Sequence, residues 1–414
     1  MEKRFNLQYA GIHGTYWLYY GVICSFASVF LLDRGYSNTE IGIILAVGSI
    51  FAVLLQPIMG DLADRSRRIS FFGFMEMMTA LLMVLTVFLL VLQKKSGLLM
   101  FVYVMAFGWM NIVQPFCNAM NRKLSETGVY VNFGACRAIG SLTYSIMCFF
   151  LGSLVEKFGV NVLPVTGEVV LILFMTAIVI VAKSFRRAMA EKFDGTKSAA
   201  SGSSVENAAA GDEEEINLPM FVKRNKMFLV LCFGVLGLYY TNSVLNTYMA
   251  QIAESVGGDN GDIGRIFSIL ALMEIPTMMF FDRINKRFRT RTLMKFSAVA
   301  FVFWILICFL AENVMTLILA QFIQPFSFAL FLPSIVRFID DIMSKGEAVK
   351  GQTMFTTTTT MAAVFASLIG GVILDAAGPK MLTLTATCVT AVGAAVVVFS
   401  ADRVKGHKQE RTRR

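Results

Sequence analysis

The sequence predicts an all-α membrane protein whose twelve transmembrane helices form two six-helix bundles. Three observations predict it: twelve apolar stretches of membrane length, a bias of Lys and Arg to one side of them, and one long polar interruption after the sixth.

Hydrophobic residues make up 56% of the chain and charged residues 16%. A soluble domain is roughly half apolar and a quarter charged, so this is a membrane composition. A helix needs about 20 mostly apolar residues to cross a bilayer. Such stretches lie at 8–31, 40–60, 70–93, 98–120, 133–155, 160–182, 227–251, 263–281, 292–311, 314–337, 352–374 and 380–401. The first is too long for a cleavable signal peptide and lacks a small-residue cleavage site. All seven cysteines fall inside these stretches without CxxC spacing, and His13 and His407 are the two histidines. The cysteines therefore read as small packing residues, and no metal or cofactor is expected.

With the amino terminus inside, the inner segments hold 30 of the 37 Lys and Arg, the outer segments six, and Arg137 lies within a span. This is the positive-inside pattern, and it places both termini in the cytoplasm of a multi-pass protein of the cell membrane. The net charge of +9 therefore reads as a topology signal, and no nucleic-acid partner is expected. The interruption at 184–225 passes from Arg186 and Arg187 through an Ala/Ser/Gly-rich stretch to Asp212-Glu213-Glu214-Glu215, the composition of a flexible, disordered cytoplasmic linker. It divides the chain into 1–183, the linker, 226–402 and a basic cytoplasmic tail, 403–414.

The two halves echo each other. Gly152-x-x-x-Glu156-x-x-Gly159 ends the fifth span and Gly371-x-x-x-Asp375-x-x-Gly378 the eleventh; Gln114-Pro115-Phe116 in the fourth recurs as Gln324-Pro325-Phe326 in the tenth; Asp64-Arg65 after the second is matched by Asp282-Arg283 after the eighth. Three matches in order at equivalent spans indicate parallel six-helix repeats.

Gly60-Asp61-Leu62-Ala63-Asp64-Arg65-Ser66-Arg67-Arg68, between spans two and three, resembles the loop signature Gly-x-x-x-Asp-Arg-x-Gly-Arg-Arg of the major facilitator superfamily, with the second glycine missing and the basic run one residue early. The resemblance implies the major facilitator fold. It also implies a cytoplasmic gate made by Gly60, Asp64 and Arg65, with Asp282 and Arg283 as the second-half counterparts. A plain basic inner loop would account for the arginines but not for the Gly-to-Asp spacing.

Within that superfamily the chain resembles the lactose permease and its oligosaccharide–proton symporter relatives. The carriers are Gly42-Ile43-Ile44-Leu45-Ala46, Ser49-Ile50-Phe51, Leu55-Gln56-Pro57 and Gly60 in span two; Phe133-Gly134-Ala135-Cys136-Arg137-Ala138-Ile139-Gly140 in span five, with Tyr144 at the position of a sugar-stacking Trp; and Met273-Glu274-Ile275-Pro276 in span eight, at a sugar-binding Glu. The group's acidic residue in the fourth helix falls on Asn118, the Arg of the ninth on Trp304, the His and Glu of the tenth on Gln324 and Ser327, and the Lys of the eleventh on Thr359. Most positions tied to proton coupling in that group are therefore replaced.

Charged groups inside a membrane mark function on physical grounds alone, because each costs ~2.5–3.5 kcal/mol or more at mid-span. Glu274 lies near the middle of span eight and Arg137 a turn into span five. They are expected to line a water-filled cavity or to pair, and a structural ion pair is the plainer alternative. Glu76 and Glu168 lie nearer span ends and read as structural. Tyr16 and Tyr20, four apart in span one, are expected to form with His13 an aromatic wall, although some aromatics there read as membrane-interface residues. Asn242 and Asn246 in span seven, and Asn111, Gln114 and Asn118 in span four, supply amides for solute or for interhelical bonds. The run Thr356–Thr360 reads mostly as packing, with hydroxyls bonded to their own helix.

The expected binding set is Arg137, Glu274, Tyr144, Asn118, Tyr16, Tyr20, Asn242, Asn246 and Gln324, with Glu274 carrying a co-transported proton. The expected activity is transport, by a monomer in the lipid bilayer, of a sugar, oligosaccharide, glycoside or nucleoside-like solute by alternating access, with proton-coupled uptake. The 25 Met and 37 Phe also suit a drug or aromatic-acid carrier, and a transporter-like sensor or scaffold is the third alternative. No paired carboxylates, Ser/His/Asp set or P-loop points to an enzyme or an ATP-driven pump.

The charge bias predicts that a cysteine at position 205 reacts with a membrane-impermeant thiol reagent only in lysed cells. Labelling in intact cells would reverse the orientation.

Overall fold

The structure, a computed structural model, describes residues 2–66, 69–197, 220–221, 224–343 and 345–404. The linker centre with position 205, Arg67 and Arg68, and most of the basic tail lie outside the described residues, as does His407. Every regular element among the described residues is helical.

Among the described residues, ten single helices are long and apolar enough to cross a membrane, and a bent pair, Glu2–Ser25 with Ala27–Asp33, makes another span. The last of the ten, Lys345–Ala401, has 57 residues, about 85 Å at 1.5 Å per residue and far more than one bilayer. It breaks where Gly378 has φ 77° and ψ 179° and Pro379 follows. An L-residue with a side chain rarely adopts such a φ, and Pro starts the next helix well. The count among the described residues is thus twelve. Spans 1–6 are Glu2–Asp33, Asn38–Arg65, Phe71–Val91, Gly97–Ser125, Phe133–Phe158 and Val162–Lys197. Spans 7–10 are Lys226–Glu254, Asn260–Arg287, Thr290–Leu310 and Val314–Ile342, and spans 11 and 12 are the two arms of the broken helix. The sixth helix runs beyond the expected boundary at residue 183, through Arg186, Arg187 and Ala188, which favour helix.

Two spans are not the plain helices that their hydropathy suggests. Span 1 carries a π turn at Gly21–Ser25 and bends by 45°. Span 10 passes through a 3₁₀ turn, Gln321–Ile323, and restarts at Phe328. Pro325, which cannot donate to the ladder and crowds the preceding turn, sits in that break.

The halves meet most extensively along span 2 against span 11 and span 5 against span 8. Glycines permit both seams. A β-carbon on Gly42 would strike the Ser367 carbonyl and one on Gly371 the Asn38 carbonyl; in the other seam Gly264 faces the Cys148 carbonyl and Gly152 the Asn260 carbonyl. The contacts correspond between the halves, as parallel repeats require. Spans 2 and 8 also begin alike, each with a capping box: Ser37 with Glu40, and Asp259 with Asp262.

The first seam has a polar clamp. Asp375 accepts from the Asn38 backbone N–H at 3.1 Å and its Nδ2 at 2.9 Å, and from the Thr39 backbone N–H at 2.8 Å and its Oγ1 at 2.6 Å. A carboxylate at a helix amino terminus meets unpaired N–H groups and the positive end of the helix dipole. Gln251 of span 7 donates to Asn38 Oδ1 at 2.8 Å, tying a second helix to the clamp. In the other seam Glu156 lies against Gly261, 2.8 Å from where a β-carbon would sit. Ser145 Oγ donates to the Ser268 carbonyl at 2.8 Å, also between the halves. The Asp375 clamp and the Glu156 contact lie toward the end opposite the termini, which is closed, and the Ser145 bond lies near mid-span.

Asp375→Ala is expected to release this closure. Losing ~1.4 kcal/mol, at the low end for a hydrogen bond to a charged group, changes a population about tenfold. A cysteine at Ser243 should then react about ten times faster with a reagent applied from the side opposite the termini; an unchanged rate would show that the clamp holds nothing shut.

Candidate solute site between the halves

Because the halves are joined at one end and apart at the other, they enclose a cavity of ≈ 950 Å³ that opens toward the terminus-bearing end. Its mouth is bordered by Asn132, which caps span 5, by Phe133 and Gly134 on span 5, and by Met278, Met279 and Asp282 on span 8. A volume of this size suits a small organic solute.

Of the predicted binding residues, Arg137, Glu274, Tyr144, Tyr20, Asn242 and Asn246 line this cavity, the first, third and fourth from the amino-terminal half and the others from the carboxy-terminal half. Arg137 and Glu274 face the same space, yet no ion pair within 4.0 Å joins them among the described residues. Each is held within its own half. Arg137 lies over the Trp17 ring, 4.0 Å from its centroid, and donates to Ser141 Oγ at 3.2 Å. Glu274 Oε1 accepts from Gln324 Nε2 at 2.5 Å. Gln324 itself is fully buried in the break of span 10 and is not part of the wall; it reaches Glu274 from behind.

The aromatic wall differs from the expected one. Tyr16 is buried inside the first half, edge-on to Phe174, with its hydroxyl toward the Met110 carbonyl at 3.4 Å. His13 is buried between Tyr9, ring centroids 4.7 Å apart, and Phe133, 5.8 Å apart. The helix face toward the cavity runs instead through Trp17, Tyr20 and Cys24. Spacings of three and four residues put these on one stripe, which the π turn carries on to Ser25. Tyr16 sits at the edge of that stripe, turned toward span 6. Tyr20 and Tyr144 lie 4.8 and 6.2 Å from Trp17, centroid to centroid, and 6.1 Å from each other. Tyr144 is fixed by a 2.6 Å hydrogen bond with Ser25.

Asn118 is also outside the cavity, exposed on span 4, where Pro115 interrupts the ladder and the cavity face is carried by Phe107 and Asn111. Asn246 Nδ2 donates to the Asn242 carbonyl at 2.7 Å, so one of its donors serves its own helix. Glu76, Glu168 and Gln114 do not line the cavity. The hydroxyls of Thr356–Thr360 all donate to carbonyls three or four residues back, at 2.8 to 3.1 Å.

At the open end the gate residues are apart. Arg65 pairs with Asp61 of its own helix at 2.6 Å, Arg283 lies over Phe280 at 5.2 Å, and Gly60 faces open space. Asp282 points into the cavity mouth. The Asp64 side chain lies outside the described residues. Among the described residues, Arg65, Asp282 and Arg283 thus form no ion pair between the halves.

Among the wall residues that sequence reasoning left out are Trp17, Ser141 and Met278. Trp17 was legible in principle, since Trp17, Tyr20 and Cys24 follow helical spacing. Ser141, four residues after Arg137, was legible as its i+4 neighbour.

The family model described as the MFS_1 like family matches residues 9–384. The chain belongs to this family. Among curated proteins it is 23% identical over 383 residues to the uncharacterized transporter YwbF of Bacillus subtilis, covering 89% of this chain and 88% of YwbF. It is 22% identical over 363 residues to the quinolone resistance protein NorA of Staphylococcus aureus, covering 86% of each. Among solved structures, the nucleoside transporter NupG superposes with a TM-score of 0.76 at 13% identity, covering 96% of this chain and 98% of NupG. A bacterial homolog of the human lysosomal transporter Spinster, described as inward-facing and unoccupied, superposes with a TM-score of 0.66 at 13% identity over 97% of each. This MFS_1-like protein is therefore a multi-pass membrane protein with the major facilitator transporter fold.

Proposed function

We propose that the protein is a secondary active transporter that takes up a small polar solute with a proton by alternating access, the solute being a sugar, oligosaccharide, glycoside or nucleoside-like molecule. The observation that carries this reading is the cavity into which Arg137 and Glu274 project from opposite halves, each held separately. A guanidinium offers a planar fork of donors to hydroxyl or carboxylate oxygens, a carboxylate accepts from hydroxyls, and the rings of Tyr20 and Tyr144 offer faces to apolar patches of a solute. Solute that bridges the two charges draws the halves together at the open end, while the seams at the other end give way. With both termini in the cytoplasm of the cell membrane, the open cavity faces inward.

Glu274 is the proposed proton carrier. It is the carboxylate deepest in the cavity wall, and Gln324 and Ser327 stand where the lactose permease group has ionisable residues. Asp64, Arg65, Asp282 and Arg283 are the proposed closure of the now open end. A second reading, a carrier of drugs or aromatic acids, is favoured by the similarity to NorA and by Met278, Met279, Phe107 and Phe328 in the wall. A thermal-shift screen of the purified protein against sugars, nucleosides, aromatic acids and quinolones separates the two, since a ligand stabilises the state it binds.

In proteoliposomes with an imposed pH gradient, Glu274→Gln is expected to keep solute exchange and lose accumulation, so that the internal-to-external ratio falls to about one. Arg137→Lys should slow uptake about tenfold, the equivalent of ~1.4 kcal/mol, because one ammonium cannot reproduce a planar fork. Accumulation by Glu274→Gln would move proton coupling to another group.

A further inference from the structure

Arg137 and Glu274 carry opposite charges, share one cavity and still stand apart. A bare guanidinium and carboxylate in a partly desolvated cleft attract one another strongly, and two bundles that can rock offer a ready way to join them. Something therefore restrains each partner. For Glu274 it is Gln324, fully buried in the break of span 10 and 2.5 Å away. For Arg137 the larger restraint is the face of Trp17, 4.0 Å from the guanidinium carbon, with Ser141 Oγ taking one N–H. Trp is the strongest aromatic partner for a cation, and the contact strengthens away from bulk water.

The seat of the indole is built for it. Gly140 lies three residues after Arg137, and a β-carbon there would come within 2.6 Å of Trp17 Cδ1 and 3.3 Å of the His13 carbonyl. Tyr20 and Tyr144 close around the indole at 4.8 and 6.2 Å between ring centroids, and Tyr16 meets it edge-on at 5.6 Å. The ring can neither tilt away from Arg137 nor be replaced by a freely rotating chain without disturbing these neighbours.

We propose that Trp17 is a positioning residue that keeps Arg137 off Glu274 in the empty transporter, so that solute and not the bare ion pair joins the halves. The role rests on the transport reading above and adds a constraint to it. A Glu274 carboxylate joined directly to Arg137 would be open neither to the co-transported proton nor to solute, so holding the two apart keeps both groups available. With the guanidinium stacked on the indole, its remaining in-plane N–H groups are available to oxygen atoms entering through the mouth. A solute must then offer an oxygen-bearing edge to Arg137 and a hydrogen-bond donor to Glu274 at the same time.

The test needs no solute, so its failure is distinguishable from a wrong assignment of the cargo. Spin labels at Ser125→Cys and Lys286→Cys, at the exposed ends of spans 4 and 8 beside the mouth, report the separation of the halves by double electron–electron resonance in a protein whose native cysteines are replaced. Trp17→Ala is expected at least to double the closed, short-distance population without any ligand. Trp17→Phe, which keeps an aromatic face, should match the parent protein, and Glu274→Gln added to Trp17→Ala should restore the open population. Gly140→Ala, which crowds the indole out of its seat, should act like Trp17→Ala and serves if that variant is not recovered folded. The proposal is overturned if both alanine variants leave the distances unchanged, if Trp17→Phe closes as much as Trp17→Ala, or if closure survives Glu274→Gln.

Discussion

The structure depends first on the closure of one end, where span 2 meets span 11 and span 5 meets span 8. Four glycines let backbones approach to distances that no β-carbon would permit, and Asp375 fastens one seam by capping the amino terminus of span 2. Lipid gives no hydrophobic drive for helices to associate, so close backbone packing and hydrogen bonds to helix ends must do it. Once that end is shut, two bundles of fixed shape diverge toward the other, and the central cavity follows. The same seams bring Arg137 and Glu274 to face each other, since span 5 and span 8 carry both the seam and the charges.

A cavity with a cation on one wall and an anion on the other is under electrostatic tension. Both charges are expensive in a membrane unless water, a partner or a π face compensates them. Here an indole and a buried amide take that part, one in each half. Irregular backbone makes it feasible: the π turn of span 1 continues the aromatic stripe, and the break in span 10 frees Gln324 to approach Glu274 from behind. Departures from regular helix within a membrane protein are tolerated where they are buried or border a cavity, as both are here.

Much of the candidate site was readable from single residues. Arg137 and Glu274 announce themselves by cost, and Asn242 and Asn246 by helical spacing. Tyr16 and Asn118 were assigned by spacing or by resemblance and lie elsewhere, for a common reason. A helix tells which residues share a face, but a stripe is wide, and its edge can turn toward a neighbouring helix as easily as toward the cavity. The gate residues were read from a loop signature, and in this structure Arg65 pairs with its own helix and Arg283 lies over Phe280, on the same helix. Trp17 went unassigned because, from sequence, an aromatic in a first span is as well explained by the membrane interface.

Hydropathy and charge along the chain determined the all-helical membrane class, the twelve spans and the repeat of six, because crossing a bilayer demands length and apolarity that a sequence cannot hide. The echo of Gly-x-x-x-Glu and Gly-x-x-x-Asp was visible too, but not its meaning. Only the tertiary structure decided that these carboxylates sit at helix starts in the opposite half, that one end is closed and the other open, and that the two cavity charges are held apart. Those facts depend on distances between residues more than a hundred positions apart, and they are set by which backbones can approach closely, a property of pairs of helices that no single helix encodes.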